Sequence, residues 1–190
     1  IKEIELRSNP VIVRVNKFDE ESAKDFATQI ALAHNTGQKV IPVVIDSYGG
    51  QVYSLMSMIA AIKASELPIA TIIEGKAMSC GAVLFTFGEE GMRFMDPDAT
   101  IMIHDVSSAQ WGKVEEIKAS AAETERLNKK IYTMMARNCG HADSFFIDEV
   151  HNRGRADWYI ESDEARKLKL ANHLRTPKLE VEVSVDFNFA

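Results

Sequence analysis

The chain is expected to be an α/β protein with a mainly parallel sheet covered by helices, and three observations lead there. Apolar, β-branched runs alternate with stretches of helical periodicity along the first hundred residues, the pattern of strand–helix–strand units. Turn residues such as Asn35-Thr36-Gly37 and Tyr48-Gly49-Gly50 separate those runs. The 190 residues, 46% hydrophobic and 26% charged, suit one soluble domain with a sizeable core.

The elements follow in order. Val11 to Val15 reads as a strand from its β-branched content. Asp19 then stands as an N-cap, with Glu20 and Glu21 in a first turn that suits carboxylates. Ala23, Phe26, Ala27 and Ile30 give that helix one apolar face, and Gly37 lies past its end. Val40 to Asp46 is a second strand, although Pro42 within it removes a ladder donor. Leu55, Met58, Ile59 and Ile62 form the next helical stripe, its methionines read as core filling. A third strand runs through Ile72 toward Ser79, Phe94 marks another short one, and Asp96-Pro97-Asp98 is a turn. Thr100 to His104 is a compact apolar strand ending in a histidine.

The second half differs. From Gly112 to Asn138, Val114, Ile117, Ala121, Leu127, Ile131 and Met134 recur at helical intervals, while the other faces are charged and read as solvated. At about 1.5 Å per residue, such a helix is long enough to project from a compact body into a partner subunit. A helix around Ser144 to Val150, a strand at Trp158 to Ile160 and a helix capped by Ser162 follow. The tail 179–187 alternates strictly, as a half-buried strand does. With no repeat, low-complexity segment or linker, residues 1–190 are expected to be a single domain.

Composition excludes some functions. Lys plus Arg is 22 and Asp plus Glu is 28, hence 22 − 28 = −6, with no basic stripe to attract nucleic acid. No apolar run approaches the ~20 residues of a membrane span. Cys80 and Cys139 have neither disulfide nor metal spacing. A cytoplasmic setting, with no metal or other cofactor, is the expectation.

Three features carry chemistry. Ser79 lies between a strand and a short apolar run, with Ala77 and Gly81 two places away on either side. Small-x-Ser-x-Gly is compatible with a nucleophile elbow, a sharp turn that exposes a serine oxygen. It is equally compatible with a plain serine N-cap. His104 ends a strand, where open sheets present functional groups, and Gly49-Gly50 follows another strand end. Serine hydrolysis needs a nucleophile, a base and oxyanion donors, and these positions supply one of each. The bland alternatives are a packed histidine and a simple Gly-Gly turn. His34, His141, His151 and His173 lack such a setting and are read as surface or structural. Cys80 is a rival nucleophile, but directly after the elbow its backbone N–H is the natural oxyanion donor. On residues alone, a hydrolase stands modestly ahead of a binding protein.

A resemblance changes that balance. Ile45-Asp46-Ser47-Tyr48-Gly49-Gly50, then Gly75 to Ala82, then Met102-Ile103-His104 resemble the motifs of the ClpP family of serine peptidases, in the same order. Asp157 to Ala165 and the long helix from Gly112 also resemble family segments. The resemblance implies a ClpP/crotonase-like spiral of ββα units with a handle region over about 105–138. It implies Ser79 as nucleophile, His104 as general base, and the N–H groups of Gly49 and Cys80 as oxyanion hole. It further implies homo-oligomeric rings, two heptamers face to face, whose chamber degrades unfolded polypeptides supplied by an AAA+ unfoldase.

Three departures accompany it. Tyr48 stands where the family has proline, and the segment before the first strand is short, so the unfoldase-docking apparatus is expected to be reduced. The family's third triad member aligns with Arg153, leaving Asn152 and Asp157 as nearby acceptors. An arginine has no acceptor with which to orient an imidazole. Two alternatives therefore stand beside the peptidase: a catalytically weakened structural or regulatory ring subunit, and a crotonase-fold acyl-CoA enzyme.

Overall fold

The computed structural model describes residues 9–106, 111–182 and 187–189. The elements run β1 (Val13–Val15), α1 (Glu20–Ala33), β2 (Ile41–Ser47), α2 (Val52–Ala64), β3 (Ile69–Met78), α3 (Cys80–Phe85), β4 (Arg93–Met95) and β5 (Thr100–Ile103). The remainder are α4 (Val114–Asn138), α5 (Phe145–Asn152), β6 (Trp158–Glu161) and α6 (Ser162–Lys167). Strands and helices alternate through the first half, and the expected α/β class holds.

Among the described residues, the six strands form one sheet in the order β1-β2-β3-β5-β6, with β4 also on β3. Only β5 and β6 pair antiparallel. The sheet is organised around β3. Thr71–Ile73 pair with β4 and Lys76–Met78 with β5, so one edge of a single long strand serves two successive neighbours.

Local chemistry explains the boundaries. Asp19 accepts the Ser22 N–H at 2.7 Å while its own N–H donates to the Ser22 hydroxyl at 2.9 Å, a reciprocal capping box. Those bonds hold the Asp19 carboxyl below its ordinary value. Pro42 is tolerated because the Ile41 N–H points toward β3, onto Pro68. The Pro42 nitrogen therefore faces the other edge, where pairing with β1 begins only at Val13 and Val43. No ladder bond is lost.

The core lies between the sheet and its helices. Phe26 and Ile30 of α1, Leu55, Met58 and Ile59 of α2, and all of α3 are buried in it. The second half of α4 joins through Ile131, Tyr132, Met135 and Ala136, whereas Val114 and Ile117 near its start are exposed.

Two expectations are corrected. Ser162 is not a cap but the first residue of α6; Glu161 holds the cap position without a side-chain bond. The Ser162 hydroxyl donates instead to the Pro97 carbonyl at 2.8 Å, an acceptor in the turn beside it. The alternating tail forms no strand over Leu179–Glu182 or at Phe187, and Val183 to Asp186 lie outside the described residues. Alternation marks a strand only where a ladder partner lies alongside, and Leu179, Val181 and Phe187 are exposed.

Candidate active site

The strands β2, β3 and β5 are parallel neighbours, so their carboxyl ends open on the same side of the sheet. Gly49 follows the first, Ser79 the second and His104 the third. Open α/β sheets present their functional groups at this edge.

Ser79 adopts φ 55° and ψ −116°, a left-handed conformation that costs a non-glycine residue strain. Backbone bonds impose it. The Ser79 N–H donates to the Met102 carbonyl at 2.8 Å, and its own carbonyl accepts from Ala82 at 3.0 Å. The helix that follows is entirely buried. Although Ser79 holds the N-cap position, its hydroxyl caps nothing; it lies 2.9 Å from His104 Nε2. The serine is therefore not a side-chain cap, and its hydroxyl is turned to the histidine instead.

At Gly81, two residues on, an added Cβ would find only ordinary contacts, 3.5 Å or more away. Gly49 is the crowded position. A Cβ there would lie 2.9 Å from both the Met78 carbonyl and the Ser79 Cβ, and its φ is +105°. Cys80, as the first residue of α3, has an N–H without a partner inside the helix. The Gly49 N–H donates to Ser47 Oγ at 3.0 Å.

Behind the imidazole stands Asp157. The antiparallel ladder pairs Ile103 with Trp158, so one step further His104 and Asp157 face each other. Asp157 Oδ1 lies 3.6 Å from His104 Nδ1, within ion-pair range but longer than a hydrogen bond. Arg153, four residues earlier, points elsewhere. Its guanidinium stacks over Trp158 at 4.0 Å and pairs with Glu149. Asn152 is exposed at the end of α5. Of the three positions considered around the missing acid, only Asp157 reaches the histidine.

Tyr132, absent from the sequence expectations, holds the histidine from the other direction. Its buried hydroxyl donates to the His104 carbonyl at 2.5 Å and accepts the His104 N–H at 3.3 Å. Burial pushes its phenol well above the ordinary value. Its helical spacing marks it as core, and nothing local tells which carbonyl the hydroxyl meets.

Burial also pushes the Cys80 thiol up to about 11. A protonated, enclosed thiol is a poor nucleophile, so the Cys80 side chain is unsuited to attack a carbonyl. Tyr48, Gly50, Val52, Ser79, His104 and Val106 line a shallow cavity of about 160 Å³. Other histidines are occupied structurally: His141 and His173 meet the carbonyls of Leu168 and Gly91 at 2.6 and 2.8 Å.

Fold and site together define a class: an α/β protein with a strained serine, a histidine and a carboxylate in a row at the carboxyl edge of its sheet. The Clp protease family model matches residues 4–178, and the chain belongs to the Clp protease family. A similar protein is the ATP-dependent Clp protease proteolytic subunit of Bacteroides thetaiotaomicron, 27% identical over 174 residues, which span 91% of this chain and 77% of that one. Among the described residues, no helix is long and apolar enough to cross a membrane.

Proposed function

We propose that this chain is a serine endopeptidase in which Ser79 is the nucleophile, His104 the general base and Asp157 the group that orients the imidazole. The observation that carries the reading is the 2.9 Å contact between Ser79 Oγ and His104 Nε2. The Ser79 oxygen attacks the scissile carbonyl as its proton passes to His104 Nε2. The tetrahedral oxyanion is met by the N–H of Cys80 and by that of Gly49, which turns to it from Ser47 Oγ. His104 then returns the proton to the leaving amine, and water hydrolyses the acyl-enzyme by the same route. The substrates are unfolded polypeptides, cleaved in a chamber of two stacked heptameric rings of this chain, with an AAA+ unfoldase as feeding partner, in a cytoplasmic setting.

A catalytically weakened ring subunit is favoured by one observation, the 3.6 Å between His104 and Asp157. Such contacts often tighten when substrate binds, so it does not displace the active reading. A crotonase-type acyl-CoA enzyme leaves the Ser79–His104 pair without a use. The test is fluorophosphonate labelling and peptide cleavage by the wild type and Ser79→Ala, with light scattering to establish ring assembly. Loss of both activities in an Ala variant that still assembles is expected; equal cleavage by that variant overturns the assignment.

A further inference from the structure

Asp157 follows the turn that closes α5, in which the Gly154 and Arg155 N–H groups donate to the His151 and Val150 carbonyls at 3.0 Å each. It lies on the irregular stretch between α5 and β6, with its side chain half exposed. Two consecutive residues of that stretch, Gly154 at φ 68° and Arg155 at φ 61°, are left-handed. A non-glycine residue keeps such a conformation only where its surroundings impose it. Beside that backbone bond, a side-chain restraint reaches out of the segment: Arg155 Nη1 donates to Asp105 Oδ2 at 3.1 Å. Asp105 immediately follows His104, and Arg155 is two residues before Asp157.

The Asp105 carboxylate is itself anchored. Its Oδ1 accepts from Asn128 Nδ2 at 3.3 Å, and Asn128 Oδ1 accepts the Val106 N–H at 3.0 Å. His151 Nε2 also faces Oδ1, at 3.8 Å. Asn128 and Tyr132 are one helical turn apart on α4. One face of that helix therefore grips residues 104–106, and Asp105 offers its remaining oxygen to the loop carrying Asp157.

We infer that Asp105 and Arg155 are positioning residues: their ion pair fastens the Asp157 loop to the His104 loop and holds the carboxylate opposite the imidazole. The inference rests on the serine-peptidase reading and adds to it the device that makes Asp157 the working third member. Neither residue touches the reacting atoms. Both act through Asp157.

The test is the fluorophosphonate acylation rate of Asp105→Asn, Arg155→Gln and the double variant, each with and without Asp157→Asn. Because the pair is partly exposed, each single change is expected to slow acylation by about fivefold. The double variant should be no slower than either single one, since both remove the same contact. In the Asp157→Asn background neither change should have any further effect, which a merely structural role would not produce. Singles that react at the wild-type rate, or losses undiminished without the Asp157 carboxylate, overturn the latch. Should Asp105→Asn fail to fold, Arg155→Gln carries the test, since that side chain is 66% exposed. A wild type that does not react at Ser79 sinks the peptidase reading instead. Crystal structures of wild type and Arg155→Gln then decide the latch: a wider Asp157–His104 separation in the variant supports it, and an unchanged one overturns it.

Discussion

The two halves of the candidate site are held in opposite ways. Ser79 is fixed by backbone bonds at the junction of the sheet's longest strand with a wholly buried helix, and Gly49 packs against it without room for a Cβ. Asp157 is half exposed on an irregular segment, placed by the register of a short antiparallel ladder. The serine half is thus built by the core, and the acid half by an attachment at its margin. A carboxylate at such a margin can move along the sequence without disturbing the serine. Here Asp157 faces the histidine while Arg153, at the position the family resemblance assigns to the acid, packs on Trp158.

Disturbing the core-built half should have the largest effect. Gly49→Ala places a methyl group against the backbone of Met78 and the side chain of Ser79, in a left-handed conformation. We expect it to cost about 2–4 kcal/mol of stability and to abolish peptide cleavage. Denaturant unfolding together with cleavage measurements checks this. A stable, active Ala variant would mean that the serine half is looser than its contacts imply.

A smaller effect, confined to the core-built side, is expected with pH. Burial raises both Cys80, behind the elbow, and Cys139, at the end of α4, from an ordinary 9.0 to about 11. A thiol whose folded value is raised contributes stability below the unfolded value and loses it as pH climbs through the folded one. Thermal stability should therefore fall between about pH 9 and pH 11, and Cys139→Ala should flatten part of that fall. A melting temperature that stays level across this range would contradict the burial of the thiols.

How much was legible in the sequence follows the same division. The Asp19 cap, the α1 and α2 stripes, β3 leading into Ser79, and His104 at a strand end are all local patterns, and each is present. The crowded glycine beside Ser79 is Gly49, which lies on a different strand end, so the pattern around Ser79 alone does not reveal it. Asp157 was one of two candidates because the choice depends on which residue of β6 pairs with which residue of β5. No periodicity within Trp158–Glu161 encodes that register. Tyr132 likewise shows its helical face but not the carbonyl it meets. The tail misled because strict alternation describes a strand's two faces, not the presence of a partner edge.

The most direct test of the central claim, that Asp157 rather than residue 153 completes the row, compares fluorophosphonate acylation of Ser79 in Asp157→Asn, Asn152→Ala and Arg153→Asp. Asp157→Asn is expected to slow acylation on the order of 100-fold with the fold intact. Asn152→Ala should leave the rate unchanged, and Arg153→Asp, which only sacrifices packing on Trp158, should not raise it. A wild-type rate in Asp157→Asn, or a marked gain in Arg153→Asp, would contradict the claim.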